Sequence, residues 1–134
     1  MNDSFTCVER FYKYISYDTQ SDPEATSFPS TEKQKVLARE LVNELHELGL
    51  TDAMMDEWGY VYATLPSNTD IDVPTIGLIA HLDTSPDVSG KNVQPILHKN
   101  YQGGDLKLGD SGIVILESEN PDLAHKIGHD IITS

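Results

Sequence analysis

Residues Thr75-Ile76-Gly77-Leu78-Ile79-Ala80 are apolar almost throughout and do not alternate with polar residues. A short run of that kind predicts a strand covered on both faces, as in the middle of an α/β sheet. His81 and Asp83 follow it directly, and Pro86 then turns the chain. A two-sided strand needs neighbouring strands beside it and helices above and below it. The rest of the sequence is therefore read for those elements.

Helical spacing appears twice before this run. Phe5, Val8, Phe11, Tyr12 and Ile15 recur at three-to-four spacing, which predicts a helix over 3–17. A polar loop with Asp18, Asp22, Pro23 and Pro29 separates it from a second helix, expected from about Thr31 to Leu48. Ser30 or Thr31 can cap that helix, and Val36, Leu37, Leu41, Leu45 and Leu48 form its apolar stripe. Gly49 stands where a helix C-terminus favours glycine. Residues 51–57 and 60–65 read as two strands of a hairpin turned by Trp58-Gly59. After Asp83 the chain reads as irregular through Gly104, with a strand at 113–116 and a short helix at 121–127. Ile131-Ile132-Thr133 begins an apolar element with no evident partner. The fold class is α/β: a mixed sheet flanked by helices, incomplete over these residues, with an open edge that allows self-association.

Composition narrows the function. The chain has 134 residues and a formal charge of −13, a size that suits one core. A surface this acidic repels nucleic acid and anionic membranes, so neither is expected as a partner. No apolar stretch approaches the roughly 20 residues that span a bilayer. Met1 to Arg10 lacks a basic region followed by an apolar run, and Cys7 is the one cysteine. A cytoplasmic, reducing setting is the reading. Cys7 itself is expected in or beside the core.

The chemistry concentrates at His81 and Asp83. In extended backbone, residues two apart point to the same side, so imidazole and carboxylate converge. Ligands bind beyond the carboxyl ends of strands in open α/β sheets. Neutral imidazole ligates zinc, and a carboxylate beside it orients the ring or binds metal itself. Other candidates are weaker. His125 and His129 are four apart, but Lys126 and Gly128 do not suit a zinc-protease helix, and a structural role is expected. Gly103-Gly104 reads as a turn rather than a phosphate loop. Ser85 lacks the flanking glycines of a nucleophile elbow. Asp18 and Asp22 read as loop residues, and Met54, Met55 and Trp58 as packing residues. Asp87, Lys91 and Asn92 lie where they could line a substrate pocket.

Several of these stretches carry a resemblance. Gly77-Leu78-Ile79-Ala80-His81-Leu82-Asp83-Thr84-Ser85-Pro86-Asp87 with Ser89-Gly90-Lys91-Asn92-Val93 resembles the co-catalytic zinc exopeptidases and deacylases, and within them the tripeptide aminopeptidases. Residues Phe11 to Gln20, Pro29-Ser30-Thr31-Glu32, Asn100 to Asp105 and Leu108-Gly109 agree with it, so it covers nearly the whole chain. The resemblance implies that His81 is a zinc ligand and that Asp83 is the catalytic, ligand-orienting acid. It implies a pair of zinc ions that polarise a peptide carbonyl and activate a bridging water, with a glutamate as base. The substrate would be a tripeptide that loses its N-terminal residue. The family's bridging aspartate, paired glutamates, later aspartate and distant histidine have no counterpart here, nor does the lid or dimerisation domain. Residues 1–134 are thus expected to be the N-terminal segment of a catalytic peptidase domain, inactive alone. A dipeptidase, carboxypeptidase or deacylase of the same family, and a non-catalytic truncated module, remain open as alternatives.

Overall fold

The computed structural model describes residues 7–134. Phe5, the first residue of the expected apolar stripe, lies outside them. Contacts divide the chain into two compact units, one running to Asn92 and the other spanning Val93–Ser134.

In the first unit, helix α1 spans Cys7–Ile15. It closes in tight turns, with Ser16 N–H donating to the Lys13 carbonyl and Tyr17 N–H to that of Tyr14. Helix α2 spans Gln34–Glu47. Its buried register is Gln34, Leu37, Ala38 and Glu44, a spacing of three and four that faces one side of a helix. Val36 and Leu48 are exposed, so the apolar stripe is narrower than the sequence suggests. The expected cap is also corrected. The residue at the α2 N-cap is Lys33, with no side-chain cap. Thr31 instead donates its hydroxyl to the Gln20 carbonyl, and Ser30 Oγ accepts the Asp22 N–H. The C-terminus follows expectation: Gly49 has φ +92°. Its N–H bonds to the His46 carbonyl, and the Leu50 N–H to that of Leu45, the double bond pattern of a Schellman end.

A charged clasp joins the helices. Arg10, Lys13 and Tyr14 occupy one face of α1. Lys13 Nζ lies 2.7 Å from Glu44 Oε1 and 2.5 Å from Glu40 Oε1. The Tyr14 hydroxyl donates to Glu44 Oε2, and Arg10 Nε is 3.9 Å from the same oxygen. Glu44 is thus a carboxylate in a buried position, satisfied by cations and a hydroxyl, as a buried charge must be. Burial and the Glu44 carboxylate push the Tyr14 hydroxyl up to about 12. Strands β1 (Met54–Met55) and β2 (Val61–Tyr62) pair antiparallel, Met54 opposite Tyr62, and the hairpin packs on α2. Asp56 sets the turn by accepting the Trp58 and Tyr60 N–H groups. Leu37, Ala38 and Ala53 form the small core of this unit. Cys7 is exposed rather than in the core, because α1 turns its polar face, not its first residue, toward α2.

The run from Thr75 to Ala80 is not a strand. It has no regular structure and no strand partner, with Leu78 94% and Ile79 99% exposed. The physical reason is the absence of a ladder. A two-sided strand is held by neighbours on both edges, and among the described residues nothing pairs with 75–80. Pairing begins only at Thr84, in an isolated parallel bridge with Gln20.

In the second unit, β3 (Ile96–His98) pairs antiparallel with β6 (Ile131–Thr133), Leu97 opposite Ile132. β4 (Leu106–Lys107) pairs with β5 (Val114–Ile115). Ile131–Thr133 therefore has a partner, and that partner lies in a stretch the sequence presents as irregular. Pro95 and the loop residues around β3 mask a strand of only three residues. The Tyr101 N–H bonds to the His129 carbonyl and the Gly128 N–H to that of Tyr101, which extends the pairing past β3. Tyr101 and Leu106 are buried. Among the described residues the strands make three two-stranded antiparallel sheets, a small mix of helices and strands rather than one mixed sheet.

The clasp generates a pH signature. Burial raises the Glu44 carboxyl, but the hydrogen bonds from Lys13 and Tyr14 and the charges of Lys13 and Arg10 outweigh it, leaving the group below its ordinary 4.5. Such a group stabilises the fold above its unfolded value, and the contribution disappears as pH falls through the lower folded value. Glu44→Gln is expected to be less stable than the parent by about 1.5–3 kcal/mol at neutral pH, the range for a hydrogen bond to a charged group. Thermal melts should show the difference shrinking below pH 4.5.

Candidate metal centre

His81 and Asp83 stand at the end of the unpaired run and are drawn together. His81 Nδ1 lies 2.7 Å from the Asp83 carbonyl and 3.2 Å from Asp83 Oδ1. A carbonyl oxygen only accepts, so Nδ1 carries the proton. The lone pair of the neutral ring is then on Nε2, on the opposite edge. An imidazole that donates one N–H to a backbone or carboxylate oxygen and offers its other nitrogen is the usual arrangement of a metal-bound histidine. Both side chains are accessible, 83% for His81 and 51% for Asp83.

The segment after them is fixed from the other side. The Thr84 N–H donates to the Thr19 carbonyl at 3.1 Å, and the Thr84 carbonyl accepts the Ser21 N–H at 2.9 Å. Ser21 Oγ reaches the same carbonyl at 2.9 Å. The Gln20 side-chain amide donates to the Pro86 and Val88 carbonyls at 3.0 and 3.2 Å. Asp18 underpins this loop: its Oδ1 accepts the Gln20 N–H at 3.1 Å and pairs with Lys33 Nζ at 2.8 Å. Lys33 first, then the Gln20 N–H, holds the Asp18 carboxyl below its ordinary value. Gly90 closes against the same place. A Cβ there would sit 3.2 Å from Asp18 Oδ1 and 3.3 Å from Thr84 Oγ1.

The lesser candidates separate from this site. Ser85 Oγ donates to Asp87 Oδ2 at 2.9 Å, so these two side chains bond each other. Asp22 makes a local turn through the Glu24 N–H. His125 lies in a 3₁₀ helix, Pro121–Lys126, and His129 follows the turn at Gly128. They do not share an α-helical face. Gly103 and Gly104 both have positive φ, in a turn that presents the Gly104 N–H to Glu117 Oε2. Sequence reasoning missed the roles of Gln20, Ser21 and Gly90, because a parallel bridge of one residue has no periodicity to read.

A catalytic zinc takes about three protein ligands. His81 supplies one nitrogen, with Asp83 beside it. Among the described residues no group of three or more His, Cys, Asp or Glu side chains could hold a metal ion. The described residues therefore do not fit a whole zinc site.

The chain is 58% identical over 127 residues to Peptidase T of Aliivibrio fischeri, which covers 95% of this chain and 31% of that protein. It is 56% identical over 127 residues to Peptidase T of Aliivibrio salmonicida, and 52% identical over 128 residues to that of Bacillus pumilus, with the same coverages. The chain is a relative of the peptidase T proteins. It spans about a third of the length of these curated relatives. No family model matches the chain.

The crowding at Gly90 is open to test. Asp18 Oδ1 is held by Lys33 and the Gln20 N–H, so it has little room to yield to a methyl group. Gly90→Ala is expected to lower stability by about 1–3 kcal/mol, the usual penalty of overpacking. Amide exchange should localise the loss to Thr19–Ser21 and Thr84.

Proposed function

We propose that this chain forms the N-terminal segment of the catalytic domain of a zinc-dependent tripeptide aminopeptidase. His81 is its zinc ligand and Asp83 the carboxylate that orients it. The observation that carries the reading is the 58% identity to a peptidase T over 95% of the chain. The contact between His81 Nδ1 and Asp83 supports the two roles. In the wider family the same pair would serve a dipeptidase, carboxypeptidase or deacylase; the degree of identity to peptidase T favours the tripeptidase.

The chain's own contribution is one oriented nitrogen ligand and a supported loop behind it. Binding two zinc ions takes further ligands, which would come from polypeptide beyond these residues. Peptides are the substrates on this reading. Nucleic acid and anionic membranes are not partners, given the charge of −13. No helix among the described residues is long and apolar enough to cross a membrane, and the proposed setting is cytoplasmic.

The chain by itself is expected to show no tripeptide turnover and to retain fewer than two zinc ions. A chimera decides the assignment. The chain would replace the matching residues of the Aliivibrio fischeri protein, with the remainder kept. It should release the N-terminal residue of a tripeptide. Asp83→Ala in that chimera should fall about 10–100-fold, the range for loss of an orienting partner, and His81→Ala further still. Full activity of the His81→Ala chimera would falsify the ligand assignment.

The exposed segment bearing Ile76, Leu78 and Ile79 supports self-association of the isolated chain, since extended apolar backbone seeks strand pairing. Sedimentation should show mass rising with concentration, and Ile79→Asp should keep the chain monomeric. A parent chain that is monomeric at every concentration rules this out.

A further inference from the structure

We infer that Gln20 is a positioning residue for His81, acting through the Asp83–Thr84 peptide; the inference rests on the reading of His81 as a metal ligand. The Asp83 carbonyl and the Thr84 N–H belong to one planar peptide unit. On one edge of that plane the carbonyl accepts His81 Nδ1–H at 2.7 Å. On the other edge the N–H donates to the Thr19 carbonyl at 3.1 Å. The plane cannot rotate without breaking one bond or the other. Whatever fixes residues 19–21 against Thr84 therefore fixes which nitrogen of His81 is protonated and where its lone pair points.

Gln20 is the residue that holds this arrangement together. It stands opposite Thr84 in the isolated parallel bridge, whose two bonds are made by its neighbours, the Thr19 carbonyl and the Ser21 N–H, and its own backbone is anchored on both sides. The Gln20 N–H donates to Asp18 Oδ1, and its carbonyl accepts the Thr31 hydroxyl at 2.9 Å. Its side chain then crosses the bridge. Both bonds from Nε2, to the Pro86 and Val88 carbonyls, tie down the loop that leaves Thr84. A primary amide has two N–H donors on one nitrogen, so one side chain can hold two carbonyls two residues apart. Pro86 contributes no N–H of its own to that loop. The Gln20 side chain is only half-buried and lies outside the Leu37, Ala38 and Ala53 core. Its replacement should therefore leave the helices and hairpin folded.

The test uses the 134-residue chain and the variants Gln20→Met, which keeps the length and lacks the donors, and Gln20→Glu, which keeps the shape and presents oxygen to oxygen. Nitrogen NMR of the neutral His81 ring reads the tautomer, and native-state exchange reads the Thr84 amide. In the parent, His81 should be held as the Nδ1–H tautomer. In either variant that preference should be lost, and Thr84 exchange should quicken about tenfold, which corresponds to about 1.4 kcal/mol. Exchange in α2 should not change. A parent ring that is a mixture of tautomers overturns the inference, as does a variant with unchanged ring signals. Faster exchange throughout α2 overturns it too, because Gln20 would then be a general stabilising residue. Titration with zinc chloride alone separates the two readings. If the His81 signals never respond to zinc while the tautomer depends on Gln20, the positioning stands and the metal assignment falls.

Discussion

The hydrogen bonds of Thr84 to Thr19 and Ser21 join parts of the chain more than sixty positions apart, and the candidate site depends on them. Closing a loop of that length costs entropy, and one backbone bridge offers little against it. The bridge persists because it is reinforced from three directions. Ser21 adds a hydroxyl to the Thr84 carbonyl, Gln20 adds its amide to Pro86 and Val88, and Gly90 leaves room for Asp18 and Thr84 to approach. Thr19, at the centre, is buried. Its carbonyl could not be left unpaired there without a penalty.

Support for the bridge traces back to α2. Thr31 and Lys33 precede the helix, and both turn their side chains to the 18–20 loop, Thr31 to the Gln20 carbonyl and Lys33 to Asp18. The helix start thus gives up a side-chain cap to hold the loop. Farther along α2, Glu44 and Glu40 receive Lys13 from α1. The unit is therefore organised around α2 by polar contacts at both ends and a few apolar side chains between. Its apolar core is small, and the largest apolar segment, at 75–80, lies outside it.

Part of this was legible in the sequence. Both helices, the hairpin at Trp58-Gly59, the Gly49 helix end and the turn at Gly103-Gly104 follow from periodicity and from glycine placement, which are local signals. The convergence of His81 and Asp83 was also legible, because residues two apart in extended chain share a side. Three features were not. The Thr75–Ala80 run has the composition of a central strand, but a strand exists only where another backbone completes its hydrogen bonds. The β3 partner of Ile131–Thr133 is three residues long, too short for alternation to register. The work of Gln20 and Ser21 depends on a contact with residues more than sixty positions away, about which local sequence carries no information.

The amino-acid sequence alone sets the chemistry available: one imidazole and one carboxylate two residues apart after an apolar run, on a strongly acidic chain related to peptidase T. Side-chain type and spacing are intrinsic to the chain, so they can be read without coordinates. The direction in which that imidazole is presented is settled by the folded chain. Its orientation is set by a peptide plane shared with Thr84, and that plane is held by the backbone of Thr19. Hydrogen bonds across such a separation exist only once the chain has folded back on itself, which is why the imidazole was visible in the sequence and its support was not.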